Sequence, residues 1–183
     1  MRDVFWKNRR VLVTGGTGFI GSHVVEKLVK RGARVTVFDR IIDGNLKHLD
    51  SMRGKVKLRK GDCTNIQMAL RACVNQDVVM NLAARVGGIE YNRTHQAIMM
   101  RDNLLIGTTM IEAARKAQVG RFLVVSSACV YSHACHIPTP ETEGFYDEPE
   151  PSNGGYGWAK RMAEKLGMYY AEEFGMKVGI VRP

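Results

Sequence analysis

A doubly wound α/β fold with a parallel sheet is predicted by three observations on this 183-residue chain. Strand-like and helix-like segments alternate from Arg10 to Arg182, a Gly-x-x-Gly-x-x-Gly loop joins the first strand to the first helix, and the residues with chemical character fall just after strand ends. Arg10 to Thr14 is a short apolar run of the buried-strand kind, leading into Gly15-Gly16-Thr17-Gly18-Phe19-Ile20-Gly21. Ser22 to Arg31 then reads as a helix stopped by Gly32, and Arg34 to Phe38 as a second strand ending at Asp39. Val56 to Lys60 alternates apolar and basic residues as a half-exposed strand does, and ends in Gly61-Asp62-Cys63. A short helix is expected over Ile66 to Cys73, and a fourth strand from Asp77 to Asn81 running into Leu82-Ala83-Ala84. A long helix from Ala97 to Ala117, a strand from Arg121 to Ser126, a helix from Tyr156 to Phe174 and a strand from Lys177 to Arg182 complete the alternation. His133 to Gly155, rich in Pro, Glu, Thr and Gly, reads as a long irregular loop.

In such a sheet ligands lie at the carboxyl ends of the strands, where Gly15, Asp39, Asp62, Ala83 and Ser127 all fall. Glycines at 15, 18 and 21 permit a tight turn, close approach of backbone to a pyrophosphate, and close packing of the following helix, whose N-terminus attracts anions. Asp39, eighteen residues past Gly21, stands where an acid accepts hydrogen bonds from adenosine ribose hydroxyls and repels a 2′-phosphate. NAD is therefore expected ahead of NADP, with Arg40 beside Asp39 softening the preference. A turn-forming residue before a loop is the plainer reading of Asp39.

Tyr156 and Lys160 share one face of a helix, being four residues apart. A phenol of ordinary pKa about 10 is a poor base near neutrality, and a neighbouring ammonium stabilises its phenolate. Read with Ser127, the pair spells a proton-transfer apparatus for a nicotinamide-dependent reaction on a carbinol; alone, it equally suits an amphipathic surface helix.

Composition narrows the class. With 45% hydrophobic residues the chain can bury a core in one domain, taken here as residues 1 to 183. No apolar run approaches the roughly 18 residues of a membrane span, and the start, Met1 to Lys7, lacks the apolar core of a signal peptide, so cytoplasm is the default and no membrane partner is expected. Cys63, Cys73, Cys129 and Cys135 show no metal-site spacing, since His133 and His136 flank Cys135 too closely; reduced thiols and no metal are expected. The 27 basic residues against 18 acidic ones raise the question of nucleic acid. The cluster from Arg53 to Lys60 alternates with Val56 and Leu58, and no aromatic recognition motif accompanies it, so nucleic acid is not expected as a partner.

Together these motifs resemble the extended short-chain dehydrogenase/reductase family, the NAD-dependent nucleotide-sugar epimerases and dehydratases, over essentially the whole chain. The resemblance implies a Rossmann fold in which Thr14 to Gly21 holds the dinucleotide, with Gly15, Thr17, Gly18, Phe19, Ile20 and Gly21 as its contacts. It implies further cofactor contacts from Asp39, Arg40, Asp62, Cys63, Leu82, Ala83, Ala84, Asn103, Tyr156 and Lys160, and redox chemistry by Ser127, Tyr156 and Lys160. The dehydratases' Asp-Glu pair after the serine is replaced here by Ala128-Cys129, which argues against dehydration. Cys129 stands where the GDP-mannose 3,5-epimerases and GDP-fucose synthases carry a proton-moving cysteine; as an isolated cysteine it also reads as a small buried hydrophobe. Ala83 to Ile89 is similar to the Ala-Ala-x-x-Gly-Gly segment of those groups, with Gly87, Gly88 and Ser127 toward substrate.

The implied chemistry is oxidation of a nucleotide sugar at C4, proton exchange at C3 and C5 through Cys129, and return of the hydride. A UDP-galactose-type 4-epimerase, which would not need Cys129, and a non-catalytic NAD-binding module are the competing readings. Family members continue past the equivalent of Pro183 into a substrate-binding portion, so a truncated chain is expected. The helices Ala97 to Ala117 and Tyr156 to Phe174 are the family's usual dimer surface, and a homodimer is expected on that ground.

Overall fold

The computed structural model describes residues 4–40 and 47–183; Met1, Arg2 and Asp3 of the opening segment lie outside them. Among the described residues six strands, β1 (Arg10–Thr14), β2 (Arg34–Asp39), β3 (Lys57–Lys60), β4 (Val78–Asn81), β5 (Arg121–Val125) and β6 (Lys177–Val181), form one parallel sheet. Their order is β3-β2-β1-β4-β5-β6. The chain winds outward from β1 to β3 and then restarts at β4 on the other side of β1. This is the Rossmann order, and the reversal leaves a crevice above β1 and β4.

β1 explains the sheet's buried centre. Val11 to Thr14 are all buried, as a strand covered on both faces must be. Successive side chains point to opposite faces, so Leu12 packs with Val79, Phe122 and Met110, whereas Val11 and Val13 pack with Val25, Val37 and Leu49. Helices α2 (Ile66–Cys73), α4 (Gln96–Lys116) and α5 (Gly154–Phe174) cover the first face; α1 (Phe19–Lys30) and a 3-10 helix at Lys47–Met52 cover the second. β3 is the exposed border, with Lys57 and Lys60 exposed and Arg59 half-buried.

Most expected elements appear within a residue or two of their predicted ends. α1 starts three residues earlier than Ser22, because Gly18 N–H closes the glycine turn on Gly15 O at 3.1 Å and leaves Gly18 as the helix cap. α3 (Ile89–Thr94) was not anticipated. The predicted irregular segment from 133 to 155 holds 3-10 turns at Glu141–Phe145 and Pro151–Asn153, and Gly154 and Gly155 already belong to α5.

Two arginines, Arg161 buried and Arg182 half-buried, fasten this segment to α5. Arg161, 1% exposed, donates from Nε to Val130 O (2.8 Å) and from Nη2 to Tyr146 O (3.1 Å). Arg182, just past β6, donates to both carboxylate oxygens of the fully buried Glu164 at 2.8 and 2.6 Å and to the Tyr131 hydroxyl at 2.9 Å. No described helix is long and apolar enough to cross a membrane, and among the described residues no cluster of His, Cys, Asp or Glu is placed to hold a metal ion.

Candidate active site

A cleft of about 970 Å³ opens at the carboxyl ends of the strands, above the reversal between β1 and β4. The Thr14 side chain ties the two strand ends together, donating to Asn81 Oδ1 at 2.7 Å and accepting from Ala83 N–H at 3.0 Å. Gly15 follows with φ +64, a conformation that L side chains resist, and a Cβ there would lie 2.9 Å from Ala83 backbone. At Gly21 a Cβ would lie 2.2 Å from Gly15 O, so α1 rests on the loop as only glycine permits. No side chain caps α1, and its first N–H groups are left as donors for an anion. These features fit the diphosphate of a dinucleotide. Gly15, Thr17, Gly18, Phe19, Ile20 and Gly21 all line the cleft.

At the β2 and β3 ends, Asp39 accepts from Thr17 N–H (3.2 Å) and Thr17 Oγ1 (2.6 Å), which fixes it beside the glycine loop. Arg40 reaches Asp62 at 3.6 Å. Burial opposes the charge on Asp62, but hydrogen bonds from Thr64 and the nearby Arg40 hold its carboxyl below the ordinary carboxylate range. Burial, aided by Asp39 and Asp62, pushes the Cys63 thiol up to about 12 and keeps it neutral. Asp39, Arg40, Asp62, Cys63, Leu82, Ala83 and Ala84 are on the cleft wall.

Ser127, Tyr156 and Lys160 form the opposite end. Ser127 caps the short turn Ala128–Val130, accepting from Cys129 N–H at 3.2 Å. Lys160 donates to Val125 O at 2.8 Å and stands 5.4 Å from the Tyr156 ring centre. Burial pushes the Tyr156 phenol up to about 12, with Cys129 adding to the rise and the Ser127 hydrogen bond opposing it. Burial brings Lys160 down to about 8, against the pull of Cys129. The expected lowering of the phenol by Lys160 is thus not seen: the ammonium addresses a carbonyl and the ring, and burial dominates at the hydroxyl.

The Lys160 shift carries a prediction for stability. Its folded value near 8 lies below the ordinary 10.5, so between these pH values the unfolded chain holds a proton that the folded chain has released. Stability contributed by this group therefore rises with pH through that window. Tyr156 acts oppositely from pH 10 to about 12, where the unfolded phenol ionises first and stability falls. Lys160→Met is expected to remove the rise. Urea unfolding at about pH 7.5 and about pH 9.5 checks it: the gap in stability between wild type and variant must widen in favour of wild type at the higher pH.

Four assigned residues are not on the cleft wall. Asn103, 5% exposed, uses its amide on backbone, accepting from Arg85 N–H (3.0 Å) and donating to Arg85 O (2.9 Å) and Met99 O (2.8 Å). These bonds brace the loop after β4. Gly87 is shaped by the Tyr91 ring, 2.5 Å from where its Cβ would be, and Gly88 caps α3. Cys129 is half-buried behind Ser127, near enough to Tyr156 and Lys160 to influence the charge of both. Conversely, Arg85, Arg101 and Asp102 line the cleft although no motif assigns them. Arg85 sits inside the glycine-rich segment after β4, which was the only signal.

A parallel sheet in this order, with an uncapped helix behind a glycine turn, defines a Rossmann-type dinucleotide-binding protein. Comparison with known proteins sharpens the class: the chain belongs to the NAD dependent epimerase/dehydratase family, whose profile matches residues 11–183. It is 29% identical over 187 residues to GDP-mannose 3,5-epimerase 1 of Oryza sativa subsp. indica, covering 99% of this chain and 48% of the rice protein. It is 33% identical over 178 residues to GDP-L-fucose synthase of Dictyostelium discoideum, covering 96% of this chain and 51% of that protein. Among solved structures it is similar to UDP-glucose 4-epimerase of Thermotoga maritima with UDP-glucose, with a TM-score of 0.81 and 29% identity over 94% of this chain and 54% of that one. The chain spans about half the length of the curated relatives it matches. NAD is the cofactor of the family, and the glycine loop, the uncapped helix and Asp39 fit it.

Proposed function

We propose that the protein is an NAD-dependent epimerase of a nucleotide sugar of the GDP-mannose kind, acting by transient oxidation at C4 and proton exchange at the neighbouring carbons. The observation that carries this reading is Cys129, two residues past Ser127, with its N–H bonded to the Ser127 hydroxyl at 3.2 Å beside the Tyr156 and Lys160 end of the cleft. When bound, NAD supplies reversible hydride transfer. Tyr156, as phenolate, takes the proton of the C4 hydroxyl and later returns it, with Ser127 bonded at the same end of the cleft. Lys160, buried and near 8, stands on the same helix face, where its ammonium offsets the phenolate before that proton arrives. The C4 ketone acidifies the hydrogens on C3 and C5, and the Cys129 thiolate removes one. The ketone stabilises the resulting carbanion, and a partner acid returns a proton to its opposite face.

Solvent-deuterium uptake into GDP-mannose, followed by mass spectrometry with the longest natural form of the protein and NAD, tests this reading. Uptake of deuterium at carbon supports it, and Cys129→Ser is expected to slow uptake about a hundredfold with NAD affinity unchanged. Normal uptake by that variant would remove Cys129 from the chemistry. A 4-epimerase acting on a UDP-sugar is the second reading, favoured by the likeness to the Thermotoga maritima enzyme and by the place of Cys129 behind the wall. It predicts conversion of UDP-glucose without deuterium uptake. The apolar groove between α4 and α5, bordered by Leu104, Met162, Leu166 and Tyr169, is the surface on which we place a second copy of the chain.

A further inference from the structure

The wall of the cleft between β4 and α4 carries Arg85, Arg101 and Asp102, none of which has a part in the chemistry above. Both arginines bond the same carboxylate: Arg85 Nη1 reaches Asp102 Oδ2 at 2.9 Å, and Arg101 reaches Asp102 Oδ1 at 2.7 Å. One carboxylate faces two guanidinium groups, so this wall keeps a surplus positive charge. The acids on the wall at the far end, Asp39 and Asp62, are engaged by Thr17, Thr64 and Arg40.

Arg85 is held more firmly than a surface arginine. The Asn103 amide grips both its N–H and its carbonyl, and its Nη2 donates to the Tyr91 hydroxyl at 2.8 Å. Asp102 and Tyr91 take two of the five N–H donors of its guanidinium, and among the described residues no protein acceptor meets the others. Its side chain is 39% exposed against 19% for Asp102, so the fork is open on one side while its anchor is covered. A planar fork with a fixed orientation and spare donors is the arrangement that binds phosphate oxygens in pairs.

We propose that Arg85, oriented by Asp102, Tyr91 and Asn103, binds a phosphate oxygen of a diphosphate ligand in the cleft. The dinucleotide and the nucleotide sugar both carry that group, and only the second source rests on the function proposed above. Calorimetric titration of NAD and of GDP-mannose into wild type, Arg85→Gln, Arg85→Lys and Asp102→Asn separates them. Arg85→Gln is expected to weaken one of the two ligands about tenfold, and Arg85→Lys, which keeps the charge without the fork, to weaken the same ligand less. A loss confined to NAD identifies the dinucleotide; a loss confined to GDP-mannose identifies the sugar nucleotide. Asp102→Asn removes the counter-charge and is expected to tighten the same ligand, more so in low salt. Either of two results overturns the proposal: Arg85→Gln leaving both affinities within about twofold of wild type, or Asp102→Asn weakening binding as Arg85→Gln does, which would make the cluster a structural brace. Deuterium uptake reports epimerisation independently of these affinities, so the two readings fail separately.

Discussion

Replacing Tyr156 with Phe is expected to lower turnover about a thousandfold while leaving NAD affinity and melting temperature close to wild type. The substitution keeps the ring, and with it the contact to Lys160 at 5.4 Å and the packing at the start of α5. It removes the phenolic oxygen to which the proposed function assigns the proton of the C4 hydroxyl. Burial has already raised the phenol to about 12, so a chain that used Tyr156 only as packing would be indifferent to the loss of its hydroxyl. Turnover within about tenfold of wild type would show that Tyr156 is not the acid/base. A parallel loss of NAD affinity would instead make it a binding residue.

Glu164→Ala is expected to destabilise the fold by about 3–5 kcal/mol, the cost of stranding a charge whose buried partner is removed. Glu164 is fully buried, and both its oxygens are taken by Arg182, which also donates to Tyr131 and lies 5.1 Å from that ring. A guanidinium keeps its proton at any ordinary pH, so the arginine left behind in the variant cannot escape by giving it up. Urea unfolding of the single variant and of Glu164→Ala with Arg182→Met checks the argument. The double variant is expected to recover much of the loss, because an apolar pair leaves no charge unmatched. A single-variant loss below about 1 kcal/mol would mean that water reaches Arg182 readily.

The parts of this molecule that could be read from sequence are those where neighbours in the chain do the work. β1 declared itself through four consecutive buried residues, and the glycine turn through spacing that only a tight loop before a helix requires. The place of Asp39 on the cleft wall was legible because a strand of known direction ends there. The bracing role of Asn103 could not be read, since a buried amide looks the same in sequence whatever it bonds, here the backbone of Arg85 eighteen positions earlier. Arg161 and Arg182 gave no signal, because their acceptors at Val130, Tyr146 and Glu164 come together only after β5, α5 and β6 have packed. The phenol was expected to titrate lower than it does for a related reason: helical spacing places Lys160 on the right face, but tertiary burial decides which way its ammonium turns and how strongly the hydroxyl resists ionising.

The β3 border has a consequence for how the molecule behaves among its own copies. A sheet that ends in an unpaired strand offers its backbone to any other extended chain. Here Lys57, Arg59 and Lys60 crowd that border, so a second molecule approaching strand to strand meets like charge before it can form a hydrogen bond. Protection of this kind works at a distance set by ions in the solvent, about 30 Å in dilute buffer and about 8 Å at physiological salt. This border of the sheet is therefore guarded by repulsion and not by bulk, and the guard weakens as salt is added.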